Sequence, residues 1–267
     1  MPEPQSLPVL PAAHARALTA LRDEDVAIAD VAAIVETDPA MTAAVLRAAN
    51  SAASAPINRI STAQQGVARI GLSRTRQLVT GAVMTSSFQE LSRSGLDLDE
   101  FWRHLIACAL LNDRPGKPGE DRTSAFTAGL MHDLGRMAMA NADPERYSWV
   151  VKSARDGRPA SEAETELFGY DHEEHGLRIA EEWQLPEPIV EAIGHHHDGT
   201  GPLSTLTQRS RELSRLLGFG DGVLPAESEP APLDGLTADE KLMISSLGGA
   251  LGLRTQVEWF RESVSAA

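Results

Sequence analysis

From end to end, apolar residues in this chain recur at three- and four-residue spacing, and the strict alternation of half-buried strands is almost absent. A 3.6-residue period gathers apolar side chains into one stripe per helix, so the chain is expected to be all-α, folded as a compact multi-helix bundle. Helix starts are marked by residues able to cap free amide groups. Asp38-Pro39 and Asp143-Pro144 each set a capping acid before a proline, whose missing N–H costs nothing in a first turn. Ser61 and Gln64, Ser161 and Glu164, Asp171 and Glu174, and Thr237 and Glu240 have the spacing of a capping box or a close variant. The pattern predicts helices over 12–22, 27–36, 39–51, 62–70, 72–91, 98–112, 122–140, 144–155, 160–168, 172–183, 187–197, 203–217, 238–250 and 254–264.

Composition narrows the partners. With 42% apolar residues over 267 positions the chain can bury a substantial core, while a formal charge of −14 would repel a phosphate backbone, so no direct contact with nucleic acid is expected. The longest apolar stretches, such as Leu105 to Leu111, fall short of the roughly 20 residues that cross a bilayer. Met1-Pro2-Glu3-Pro4-Gln5 lacks the charged start and apolar run of a secretory signal, which makes no membrane contact and a cytoplasmic location the expectation. A single cysteine, Cys108, rules out an internal disulfide, cannot alone make a zinc-thiolate site, and is read as a packed core thiol. Residues 114–120 read as a loop and 218–235, rich in Gly, Pro and acid, as a flexible linker. Beyond it, Trp259 and Phe260 argue for helices docked on the bundle, since exposing both is unfavourable.

Eight histidines are present, and their clustering is the chemical signal. Neutral imidazole and carboxylate are the usual ligands of zinc, manganese and iron, and a site gathers several of them from separate elements. His132-Asp133 lies in an otherwise apolar segment, where a buried Asp needs a metal, arginine or histidine partner. Arg136, three residues on, can supply an internal ion pair or contact a phosphate. Asp171-His172-Glu173-Glu174-His175 opens one helix and His195-His196-His197 ends another, where imidazolium also suits the negative helix terminus. His14 is read as solvated and His175 as surface. His104, His132, Asp133, His172, His196 and His197 remain as one candidate metal set.

Those residues, in that order, resemble the HD superfamily of metal-dependent phosphohydrolases. More of the chain is similar to the HDOD family, the HD-related output domain of bacterial signalling proteins. The similarity is carried by Leu7-Pro8-Val9-Leu10-Pro11, Asp38-Pro39-Ala40, Leu46-Arg47-Ala48-Ala49-Asn50-Ser51-Ala52, Ile60-Ser61 through Ile70-Gly71-Leu72, and Phe101-Trp102-Arg103-His104. It continues through Gly129-Leu130-Met131-His132-Asp133-Leu134-Gly135, Phe168-Gly169-Tyr170-Asp171-His172, and Trp183-Gln184-Leu185-Pro186 leading to His196-His197. The resemblance implies an HD-like helical bundle. It divides the chain into an HDOD domain over 1–217, with an N-terminal helical part at about 7–95 and an HD-like part at about 96–217, then the linker and C-terminal helices over 236–267.

The departures from the family shape the functional expectation. Active HD-GYP phosphodiesterases, distant relatives of HDOD domains, carry a lysine after the HD doublet where this chain has Arg136. Their histidine doublet is followed by Glu and a GYP signature, against Asp198-Gly199-Thr200-Gly201-Pro202 here. Their last metal-binding aspartate has no counterpart in Gln208-Arg209-Ser210-Arg211-Glu212-Leu213, where Glu212 is the nearest carboxylate. The expectation is therefore a non-catalytic signal-transduction module, binding a partner protein or a nucleotide-type regulatory ligand. Its degenerate HD site is expected to be vestigial or to hold one divalent transition metal, Fe, Mn or Zn. The alternative is a metal-dependent phosphohydrolase acting on nucleotides or cyclic dinucleotides.

Overall fold

The structure, a computed structural model, describes residues 12–20, 26–51, 59–88, 90–113, 122–224 and 235–264. Within them every regular element is helical and no strand occurs, as the periodicity requires. No described helix is long and apolar enough to cross a membrane. The Leu7–Pro11 motif, Ala52, the 114–120 loop and residues 225–234 of the expected linker lie outside the described residues. The chain forms two compact units, one over Val9–Ser87 with Glu258–Ala267 and the other over Phe88–Val257.

The first unit holds α1 (Ala12–Ala20), α2 (Ile28–Val35), α3 (Pro39–Asn50), α4 (Ala63–Ile70) and α5 (Leu72–Ser87). Asp38 starts α3 as the sequence proposes, its Oδ1 accepting the amides of Ala40 at 2.8 Å and Met41 at 3.0 Å. Its other oxygen lies 3.2 Å from His14 Nε2, so His14 is a buried helix-cap partner and not the solvated residue expected. The α4 cap is one residue later than proposed: Thr62, not Ser61, accepts the amide of Gln65. Asn50 closes the end of α3 on the chain ahead of α4, donating to Ile60 O and accepting from Ile60 N, both at 2.8 Å. From the C-terminal segment, Phe260 is fully buried against Gly81, and Trp259 donates to Ser51 Oγ at 3.0 Å with Arg74 over its ring.

The second unit holds α6 (Leu98–Asn112), α7 (Arg122–Met131), α8 (Leu134–Ala142), α9 (Pro144–Arg155), α10 (Ala160–Phe168), α11 (His172–Glu182), α12 (Glu187–Gly194), α13 (Pro202–Leu216), α14 (Ala238–Ser246) and α15 (Gly249–Val264) as far as Val257. Helix α6 is its centre. Phe101, Leu105, Ile106, Leu110 and Leu111 are all buried, and each such side chain contributes about 1.5–3 kcal/mol relative to exposure. Two glycines bring backbones into contact. A Cβ on Gly129 would stand 2.7 Å from Ala109 Cα, and one on Gly135 would stand 2.0 Å from His172 O. The second contact presses α8 onto α11, which sets the HD doublet beside His172.

Three expectations change here. The helix proposed over 122–140 is two helices, broken at His132-Asp133, where Asp133 turns out of helical geometry at φ −91°, ψ 25°. The cause is local: His132 Nδ1 bonds Gly129 O at 2.9 Å, the carbonyl that the amide of residue 133 would take in an unbroken helix. Residues 218–224 of the expected linker are packed chain, with Phe219 and Val223 buried and Gly222 O accepting the Asp97 amide at 2.9 Å. Glu164 does not complete a capping box with Ser161, because α10 starts at Ala160 and the Glu164 carboxylate turns inward.

Candidate metal centre

The cluster is assembled from two turns at helix C-termini, the first residue of α11 and one face of α6. His132-Asp133 occupies the turn between α7 and α8, and His195-His196-His197 the turn after α12, which ends at Gly194 and not at 197 as expected. Both turns use the same device. His132 Nδ1 bonds the carbonyl three residues back, Gly129 O, and His196 Nδ1 bonds Ile193 O, likewise three back, at 2.8 Å. A carbonyl accepts only, so the proton of each ring sits on Nδ1 and each Nε2 carries a lone pair.

Those lone pairs converge. His132 Nε2 is 3.3 Å from Asp133 Oδ2, and His196 Nε2 is 3.7 Å from Asp133 Oδ1. His132 Nε2, His196 Nε2 and Asp133 Oδ1 are buried without a hydrogen-bond partner, and the three residues form a ligand set within 4.8 Å of one another. Two acceptor nitrogens and a carboxylate oxygen facing one another have no proton to share, and such burial is costly unless a cation meets them. A divalent ion of the zinc, manganese or iron class fits this donor chemistry.

His172 adds a second edge. Its Nδ1 bonds Glu164 Oε2 at 2.5 Å and its backbone N–H donates to the same oxygen at 3.0 Å, while Tyr147 donates to Glu164 Oε1 at 2.6 Å. A carboxylate behind an imidazole fixes its tautomer and raises the basicity of the other nitrogen. That nitrogen lies 2.9 Å from His197 Nε2 and 3.6 Å from Asp133 Oδ1, and His172, His196 and His197 form a second ligand set. Glu173 accepts the His197 amide and Gln208 donates to the His197 carbonyl, which pins the turn.

Arg136 takes the internal role of the two its spacing offers. Its guanidinium is buried, with Nε 3.5 Å from Asp133 Oδ1 and 4.0 Å from Glu164 Oε1, and Nη2 3.4 Å from His172 Nε2. Burial works against both ionised carboxylates, yet Arg136 holds Asp133 well below its ordinary range, and His172 and Arg136 hold Glu164 below its own. Burial lowers His104 to about 3.

His104 stands apart from the doublet's carboxylate. It forms a third ligand set with Cys108 and His132, and its Nδ1 lies 2.8 Å from Ser214 Oγ on α13. Glu212, the nearest carboxylate in the sequence, is exposed. Buried Asp221, beyond α13 in the segment expected to be a linker, is a carboxylate whose charge, like that of Asp133, reaches His104 and Arg136. His175 is buried, not surface, but stacks on Tyr170 at 4.7 Å and stays outside the cluster. Sequence reasoning missed Glu164, Tyr147 and Asp221. Glu164 left a signal, since it stands four residues before buried Phe168 and so shares the inward stripe of α10.

The sequence profile of the HDOD domain family matches residues 7–199. An HDOD domain protein of unknown function from Geobacter sulfurreducens is 27% identical with a TM-score of 0.72, the match covering 97% of this chain and 94% of that one. A Shewanella amazonensis protein provisionally described as a phosphohydrolase has the same TM-score at 24% identity, over 97% of this chain and 95% of its own. An uncharacterised protein of Treponema pallidum is 24% identical over 238 residues, covering 85% of this chain but 45% of that protein. The chain thus spans less than half the length of that curated relative.

Proposed function

The chain belongs to the HDOD family, and from that premise we propose that it is a non-catalytic signal-transduction module that binds one divalent transition metal and passes its state to a partner protein or a nucleotide-type ligand. His132, Asp133 and His196 would hold the ion, with His172 and Glu164 supporting the same wall. When bound, such an ion supplies Lewis acidity and positive charge to an anionic ligand. The chain's own residues fix the imidazole tautomers, exclude water from the doublet and hold Asp133 ionised.

The observation carrying this reading is the place of Arg136. Two-metal hydrolysis needs a carboxylate free to bridge two ions about 3.5–4 Å apart. Here Asp133 already faces a buried guanidinium at 3.5 Å. A phosphate reaching the centre would meet Arg136 only in competition with Asp133 and Glu164. The acidic overall charge suits a protein or small-molecule partner better than a polyanion.

A second reading, a phosphohydrolase acting on nucleotides or cyclic dinucleotides, is favoured by the His172, His196 and His197 set, which offers another metal position. One assay separates the two. The full chain, purified without an affinity tag and loaded with manganese or iron, is incubated with cyclic dinucleotides and mononucleotides. The expected result is bound metal without metal-dependent turnover. Turnover abolished by both His132→Ala and Asp133→Ala would establish the hydrolase and overturn the binding-module reading.

A further inference from the structure

Cys108 lies outside the set proposed to hold the ion, yet its surroundings are those of a ligand. His104 and Cys108 are four residues apart on α6, so their side chains share one face, and both are fully buried. Cys108 Sγ lies 3.6 Å from His104 Nε2. At a tetrahedral zinc, with Zn–N near 2.1 Å and Zn–S near 2.3 Å, a nitrogen and a sulfur ligand stand about 3.6 Å apart. The pair therefore already has the separation of two ligands on one ion.

The hydrogen bonds around the pair leave the required lone pair in place. With the Ser214 hydroxyl proton given to Arg211 O at 3.0 Å, the 2.8 Å contact from His104 is an Nδ1–H donated to the hydroxyl oxygen, and this is the arrangement in which metal binding is possible. His104 Nε2 is then an acceptor facing the sulfur. The Cys108 thiol donates to Ser214 Oγ at 3.5 Å, which gives that oxygen two donors and one acceptor. An independent observation supplies the third ligand: His132 Nε2, fully buried and without a hydrogen-bond partner, completes a set in which all ligand atoms lie within 4.8 Å.

We propose that His104, Cys108 and His132 bind a thiophilic divalent ion of the zinc or cobalt class, in which the Cys108 thiolate supplies the anionic ligand that α13 lacks. This inference rests on the metal-binding reading above and deepens it. Coordination replaces the S–H bond by a sulfur–metal bond, and the proton leaves to solvent. His132 Nε2 has one lone pair and belongs to both the His132–Asp133–His196 set and this one, so these two sets hold one ion between them at a time. A thiophilic ion would select the α6 side and an oxygen-seeking ion such as manganese the Asp133 side.

The test is cobalt(II) reconstitution of the full, tag-free chain, read by absorption spectroscopy. The wild-type protein should show the near-ultraviolet charge-transfer band of a cobalt–thiolate bond beside the visible bands of bound cobalt. Cys108→Ser and Cys108→Ala should each lose the near-ultraviolet band, lower cobalt affinity at least tenfold, and leave manganese affinity and helical circular dichroism unchanged. Bound cobalt without that band in the wild type would overturn the thiolate ligand while leaving the single-ion reading intact. Cobalt that fails to bind at all, together with manganese that fails to bind, would overturn both.

Discussion

Two histidine–aspartate pairs in this chain look alike in composition and differ in chemistry. In the N-terminal unit, His14 and Asp38 meet at 3.2 Å, and the rest of the carboxylate is spent on two helix amides. In the second unit, His132 and Asp133 meet at 3.3 Å, but the imidazole proton is committed to Gly129 O and the facing atoms have no donor between them. His14 keeps one unpartnered nitrogen, and no ligand set among the described residues includes it. On the proposed reading, proximity of histidine to aspartate is a poor mark of a metal site. The mark is a group of lone pairs left facing one another once every ring proton has been assigned.

The comparison breaks most readily at Asp133. Asp133→Ala should abolish manganese binding by calorimetric titration and also leave Arg136 buried without its closest counter-charge, a loss of about 3–5 kcal/mol in denaturant unfolding. Gly135→Ala should come next. Its Cβ would collide with backbone at His172, so the variant should lose about 1–3 kcal/mol of stability and bind metal more weakly, since the doublet can no longer sit against α11. Glu164→Gln keeps the shape but removes the charge behind His172, and should cost about 10–100-fold in metal affinity.

The smallest effect belongs to the other pair. Asp38→Asn should cost about 1 kcal/mol or less by weakening a helix cap, and leave metal binding unchanged. Its pH dependence has a defined sign. Burial raises the Asp38 carboxyl, but the Met41 amide and His14 outweigh it and hold the folded value below the ordinary one. Its contribution is therefore complete above the unfolded value near about 3.9 and is lost as pH falls through the folded value. Urea unfolding of Asp38→Asn and wild type should differ at neutral pH and converge in acid. A variant that lost metal at pH 7 would erase the distinction between the two pairs.

Much of this was legible in the sequence, and the rest fails for identifiable reasons. Periodicity and capping fixed the helical fold, and the Asp38 and Asp143 caps form as their prolines suggest. His132, Asp133, His172, His196 and His197 were found as residues because imidazole and carboxylate are few and clustered. Their conformation was not, because a histidine ring that takes its own helix's carbonyl ends the helix at a point no propensity marks. Glu164 was misplaced because a buried acid four residues from a phenylalanine and a capping acid three residues from a serine have the same local spelling. Asp221 was hidden by composition: the segment rich in glycine and acid reads as linker until Phe219 and Val223 are seen buried.

The central claim is that a single ion satisfies the orphaned lone pairs of the doublet. Metal content per chain, measured on tag-free protein after equilibration with manganese or zinc and removal of free ion, tests it most directly. The wild type should hold one ion per chain, and Asp133→Ala none when manganese is the ion. Two ions per chain, or none under either metal, would contradict it.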